Sequence, residues 1–298
     1  MLNTLIIFGI ILFFYIYITA QYKKGEDLEI YEMDYIDNPQ LQEVCDIKQP
    51  ILFEFRSVCP IFFEKMNAIH EHYGSYDINV KDLNDLDAIA LPFQSGKSLM
   101  ESDVNSHYFS ENNAEFLEET GLAHIYDYLG DSLKPSFIVN TKYDLLFGSK
   151  GATTPFRYHT HYRQFMCVIS GAIQVKMSPW KTGKYVNHVK DYERYDFRSS
   201  VNVWKDDLPK VRFLEFNVKA GTVLYIPPFW WYSIKYDGAF ISSVHYNSVM
   251  NQISNAPDLA LYYLQRQNIK KIHKAEKEVK ETLNETLNET AKQLFESV

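Results

Sequence analysis

The sequence predicts a mainly β protein with flanking helices, set behind one hydrophobic N-terminal segment. Three observations predict it. Between about Pro135 and Met250 short apolar runs alternate with turns, which is the texture of a sandwich or barrel. Aromatic residues make up 15% of the chain, with 22 Tyr and 20 Phe, and such side chains suit pleated sheets. The first twenty residues are apolar throughout and carry no side-chain charge.

In chain order, residues 1–20 read as a membrane anchor. Leu2 to Ala20 is a run of 19 residues, and about 20 are needed to cross the hydrocarbon core. Tyr15 and Tyr17 lie towards one end, as interfacial aromatics do. A cleaved signal peptide is the competing reading, with Ile18-Thr19-Ala20 as the cleavage site. The charged leading region of such a peptide is missing, however, and the run is longer than the usual roughly 7–15 residues. Lys23 and Lys24 follow the span, so the positive-inside rule places the rest of the chain on the cytosolic side of a single-pass protein. Two sequons, at Asn284 and Asn288, would be modified only in the opposite orientation and read as incidental to a charged helical repeat.

Residues 21–134 read as helix and strand packed on the main domain. A polar connector runs to residue 50, and Ile51 to Phe55 forms a strand after Pro50. Phe62, Met66, Ile69 and Tyr73 have helical spacing within Cys59 to Tyr73. Residues 77–110 give no clear pattern, and Asn113 to Leu129 reads as a helix ended by Gly130. Residues 135–250 hold the strands: Phe137 to Val139, Phe165 to Ile169, Ile173 to Met177, Val211 to Val218, Val223 to Ile226, Trp231 to Ile234 and Ile241 to His245. Pro227-Pro228 marks a corner, because proline cannot sit inside a central strand. Residues 251–298 read as a long C-terminal helix. Its narrow apolar stripe (Ile272, Val279, Leu283, Leu287, Ala291, Leu294) suits a solvated helix on the domain, or a seam for a homodimer or a protein partner.

Composition excludes one class of partner. The net charge is −8 and no cluster of Lys and Arg appears outside the tail, which argues against nucleic acid. Cys45, Cys59 and Cys167 have no CxxC spacing, so they read as buried or free thiols.

Two segments carry chemistry. The first runs Gly151-Ala-Thr-Thr154-Pro-Phe-Arg157-Tyr-His159-Thr-His161-Tyr-Arg-Gln164 and on to Gly171. The second runs Gly221-Thr-Val-Leu-Tyr-Ile-Pro227-Pro-Phe-Trp230-Trp231-Tyr232. Together they resemble the two motifs of the cupin superfamily, most closely the cupin-like, JmjC-related hydroxylases. That family places a glycine ahead of His-x-His, with an acid before a closing glycine; its JmjC branch writes Thr-Pro-x-His-x-Asp. Its second motif is a glycine followed by Pro-x-x-Trp-Trp-His. The resemblance implies a double-stranded β-helix, the cupin or jelly-roll barrel. It also implies a dioxygenase-like site for Fe(II) and 2-oxoglutarate, in which two His and one carboxylate hold the iron.

The sequence departs from that pattern at every ligand. Arg157 stands where the first His belongs, His159 where the JmjC enzymes have Asp, Gln164 in place of the cupin acid, and Tyr232 where the distal His follows Trp-Trp. Ile173 matches the Lys that often grips 2-oxoglutarate in these hydroxylases. Arginine stays protonated and has no lone pair to give iron, so the expectation is a pseudo-enzyme with no metal and no cofactor. A bulge in the first segment would instead turn His159 and His161 inward to meet His245, and such a trio would bind Zn, Fe or Cu. Arg157, with His159, Tyr232 and His245, also suits an anion or small-molecule pocket beside Thr154. Trp230 and Trp231 read as wall packing, Trp180 as a structural residue that ends a strand after Pro179, and His107, His124 and His188 as ordinary hydrogen-bonded or surface residues. Three functions remain open: a membrane-anchored scaffold or binding protein, a 2-oxoglutarate/Fe(II) hydroxylase acting on protein side chains, and a metal-binding cupin with non-standard histidines.

Overall fold

The computed structural model describes residues 2–83 and 87–270. Residues 2–189 with 197–254 make one unit, and 190–196 with 255–270 belong to a second. In the second unit residues 256–270 are helical, the Tyr192 hydroxyl donates to Asp258 at 2.8 Å and Tyr195 meets Tyr262 edge-on. The apolar stripe from Ile272 to Leu294 and both sequons lie outside the described residues.

Helix α1 (Leu2–Gln21) is apolar on all sides and none of its residues is buried. At a mean hydropathy of 2.2 it is long and apolar enough to cross a membrane. Helix α2 (Asn38–Cys45) starts where Asp37 accepts the Gln40 N–H at 2.9 Å, with Pro39 in its first turn. Helices α3 (Pro60–Asn67), α4 (Ile69–His72), α5 (Phe93–Ser102), α6 (Ala114–Glu119), α7 (Gly130–Leu133) and α8 (Val249–Ser254) follow. The helix expected from Asn113 to Leu129 is broken. Gly121 sits at φ +69°, a left-handed position that ends α6, and a tighter 3-10 helix takes Leu122–Leu129. Gly130 is helical and opens α7 instead of closing the helix before it.

The strands are β1 (Tyr31–Glu32), β2 (Ile51–Glu54), β3 (Asp77–Asp82), β4 (Ala88–Pro92), β5 (Tyr108–Ser110), β6 (Ile138–Gly148), β7 (Arg157–Tyr158), β8 (Arg163–Ser178), β9 (His188–Asp191), β10 (Asp196–Ser199), β11 (Leu214–Lys219), β12 (Thr222–Ile226) and β13 (Trp231–Ser248). Among the described residues all thirteen belong to one sheet, whose main path runs β1-β2-β12-β8-β13-β6-β5-β3-β4. The path ends at β1 and β4, so the sheet is open. Strands β1 to β5 precede residue 135 and pair into the same sheet.

The centre of the sheet is the antiparallel pair β8 and β13, joined along nearly their whole length. Each is one long strand where the sequence suggests two, because a local irregularity sits at mid-length. Gly171 takes φ +68°, and a Cβ there would lie 2.2 Å from the Gly238 carbonyl oxygen, so only glycine permits the close crossing. The facing register slips between Asp237 and Ile241. One half of β8 pairs with β12 and the other with β11, while β13 reaches β6 and β7.

Alternation sorts side chains between two cores. Phe165, Cys167 and Ile169 point to a core shared with the helices, including Phe62, Met66 and Tyr126. Met166, Val168, Ile173, Val175 and Met177 point to an inner core with Leu224, Ile226 and Ile241. Both halves of β8 thus wall one interior. The three cysteines are free and buried, as their spacing suggests.

Candidate functional site

Strand β7 is short because Pro155 precedes it and the chain leaves the sheet at His159. Its register sets Arg157 opposite Tyr232 of β13, with the guanidinium 5.8 Å from the Tyr232 ring. The guanidinium grips Glu111 with two hydrogen bonds, one of them 2.9 Å from Nη1 to Oε1. Lys81 of β3 donates to the same carboxylate at 2.9 Å. The Glu111 side chain is only 4% exposed. Burial alone would raise its carboxyl, but the charges of Arg157 and Lys81 outweigh burial and hold it well below the usual carboxylate range. Among the described residues no cation pairs with nearby Asp144, which accepts the backbone N–H groups of Asn112, Asn113 and Leu145. Burial pushes it up to about 6.

Two residues on, the interior is neutral. The imidazole of His159 lies 6.2 Å from the Tyr232 ring. Its Nδ1 accepts the His161 backbone N–H at 3.1 Å, which fixes the tautomer, so Nε2 carries the proton and donates to the Ile226 carbonyl at 3.1 Å. His161 packs 5.5 Å from His159 on one side. On the other it lies parallel to His245, 4.6 Å away and tilted by 8°. Its Nδ1 bonds Asn247 Oδ1 at 3.0 Å, and His245 Nε2 meets Ser243 Oγ at 2.9 Å. Burial pushes all three rings down, His161 to about 4 and the other two well below the ordinary histidine value.

The structure therefore brings Arg157, His159, His161, Gln164, Tyr232 and His245 into one connected patch. Gln164 lies opposite His245 and donates a long bond of 3.4 Å to the Tyr232 hydroxyl. Thr154 stands apart, its hydroxyl accepting the Ile234 N–H at 2.9 Å. Ile173 belongs to the apolar inner core on the second half of β8. Trp230 and Trp231 line walls, with Trp231 stacked on Phe156 at 5.3 Å and the Trp230 indole donating to the Lys48 carbonyl at 3.0 Å. His124 and His188 are exposed.

Glu111, Lys81, Asp144 and Tyr236 complete the patch and have no spacing signal in the sequence. The hydroxyl of Tyr236 and Oε1 of Gln164 are buried without a hydrogen-bond partner. Two cavities among the described residues, of about 390 and 510 Å³, open elsewhere, around Phe240 and Arg56 respectively.

These donors do not fit iron. At the positions compared with the motif ligands stand a guanidinium committed to Glu111, an imidazole with both nitrogens hydrogen-bonded, an amide and a phenol, and Ile173 offers no cation to a 2-oxoglutarate carboxylate. The histidine trio fits no better. A ring's lone pair lies in its own plane, so parallel stacked rings do not aim at one point, and both nitrogens of His159 are engaged. Among the described residues no group of three His, Cys, Asp or Glu is placed to hold a metal ion. What the patch offers instead is shape and hydrogen bonding. No protein-family model matches the chain, and no curated protein matches it.

Proposed function

We propose that the chain is a membrane-anchored, cupin-like, JmjC-related protein that acts as a binding or scaffold module, its iron-dependent chemistry lost. On this reading the inner core is that of a double-stranded β-helix, α1 is the single membrane span, and the domain lies on the cytosolic side that Lys23 and Lys24 favour. One observation carries the reading. Arg157, at the position of the family's first iron ligand, is bound through both terminal nitrogens to buried Glu111 and so fills the place of a metal with an ion pair. A conversion that swaps a ligand for a paired cation leaves no coordination site to be filled.

The convergence of His159, His161 and His245 favours a second reading, a metal-binding cupin. Their stacking and existing hydrogen bonds count against it.

Full-length protein, incubated anaerobically with Fe(II) and 2-oxoglutarate and then desalted, tests both. Iron far below one equivalent, with no consumption of 2-oxoglutarate, is expected. Stoichiometric iron that disappears in a His159→Ala variant would overturn the proposal.

A further inference from the structure

The membrane-proximal segment meets the domain beside Lys48. Gly25 lies so close that a Cβ there would sit 2.0 Å from the Lys48 carbonyl oxygen, which also accepts the Trp230 indole N–H. The Lys48 backbone, at φ +63°, donates to the Cys45 carbonyl at 3.1 Å. Fixed on these sides, the residue is only 4% exposed, and its ammonium lies 5.1 Å from the centre of the Tyr162 ring. The guanidinium of Arg163 lies 4.1 Å from the same ring, already bonded to Gln42 and Asp46. Among the described residues the Lys48 ammonium has no hydrogen bond and no ion pair, and neither has that of Lys23. The carboxylate that acts on Lys48 is that of Asp46, which is bonded to Arg163, and a nearly buried cation with no direct anionic partner is costly to hold.

We propose that Lys48 and Lys23, backed by Arg163, hold the phosphate of an anionic glycerophospholipid from the leaflet that α1 enters. This inference rests on the reading of α1 as a membrane span. Its position follows from the chain: Lys23 comes two residues after α1 ends, at the depth where lipid phosphates lie. The Tyr22 hydroxyl bonds the Ser254 carbonyl, and the Lys24 ammonium lies 4.4 Å from the Trp180 ring and 4.5 Å from that of Phe229. With Glu26 paired to Lys181, these contacts make the linker a fixed strut, so Lys48 stays close to the bilayer surface. Burial first and the Arg163 charge second, against the pull of Asp46, lower the Lys48 ammonium to about 7, and a phosphate would restore its full charge.

The test uses the full-length chain in nanodiscs of phosphatidylcholine with and without phosphatidylglycerol, then counts retained lipids by native mass spectrometry. Retention of phosphatidylglycerol over phosphatidylcholine is expected, falling roughly fivefold in Lys48→Gln and in Lys23→Gln, the worth of one surface cation. Lys48→Arg is expected to restore it, and Lys142→Gln, an exposed cation elsewhere, to leave it unchanged. Should Lys48→Gln fail to fold, Lys23→Gln gives the same reading. Equal retention of the two lipids, or no change in either Gln variant, overturns the proposal. Inorganic phosphate that stabilises the protein in pure phosphatidylcholine as strongly as the anionic lipid does overturns the lipid as source. A chain that does not enter nanodiscs at all sinks the span reading and this one together; entry without lipid preference sinks this one alone.

Discussion

Arg157 and His159 are two residues apart, both near the Tyr232 ring, and the interior treats them in opposite ways. At Arg157 it keeps full charges and binds them in a network, Lys81 and Arg157 around Glu111. At His159 it keeps no charge, stacking three imidazoles with hydrogen bonds to backbone and neutral side chains. The first arrangement depends above all on its one carboxylate, since loss of Glu111 leaves two buried cations without an anion. The second tolerates the loss of a hydrogen bond but not the arrival of a proton. The difference predicts which perturbation each cluster resists.

The largest effect is expected at Glu111. Glu111→Gln leaves two cations facing each other and should cost about 3–5 kcal/mol, read from chemical denaturation of the detergent-solubilised chain. Replacing Lys81, Glu111 and Arg157 together by Met removes the charges with their partners and should cost far less. If the single change is as mild as an average substitution, about 1 kcal/mol, the carboxylate is not what neutralises Arg157.

Much of this contrast was hidden in the sequence, for a physical reason. Arg157 and the three histidines lie in motifs whose spacing is local, and parts of β8 and β13 were visible as the short apolar runs Phe165 to Ile169 and Ile241 to His245. Their convergence could be read as one option from a bulge and from strand faces. Glu111 could not. It lies 46 residues from Arg157 and is delivered by the pairing of β5 with β3 and β6, in a stretch without clear periodicity. Ion-pair partners are chosen by tertiary register, which single-chain periodicity does not encode. The unity of β8 was hidden likewise: Ser170-Gly171 reads as a turn, and only the crossing against Gly238 shows that the strand passes through it.

Acid should be the weakness of the histidine cluster. Folding lowers His161 from an ordinary 6.5 to about 4, with His159 and His245 moved the same way. Between those values the unfolded chain binds more protons, so stability is full above the unfolded value and is lost as pH falls towards the folded one. Each such histidine costs about 1.4 kcal/mol per pH unit in that window. Asp144 works in the opposite sense, because its carboxyl is raised from 3.8 to about 6 and its contribution is lost as pH rises through that range. His161→Phe keeps the stack while removing one titrating group. Its unfolding midpoint should fall less than that of the unaltered chain on acidification from about pH 7 to about pH 5. Parallel curves would show that the rings are not held neutral by burial.

The smallest effect is expected beside the charged cluster, at Tyr236. Its ring is fixed against Gly148, where a Cβ would lie 2.7 Å from Cδ2, yet its hydroxyl is buried without a partner. Burial comes first and the Glu111 charge second in driving its ionisation well above the ordinary range, so the group stays a neutral phenol. An unsatisfied hydroxyl costs more than the bond it fails to make, and removing it refunds that desolvation. Tyr236→Phe should therefore raise stability by up to about 1 kcal/mol, a gain rather than the usual loss for a core change. It should leave the acid dependence of the histidine cluster untouched. A loss of similar size would mean that the hydroxyl is bonded, through a buried water, to the Glu111 network. Tyr236 would then count as a fourth member of the charged cluster and not as a neutral neighbour of it.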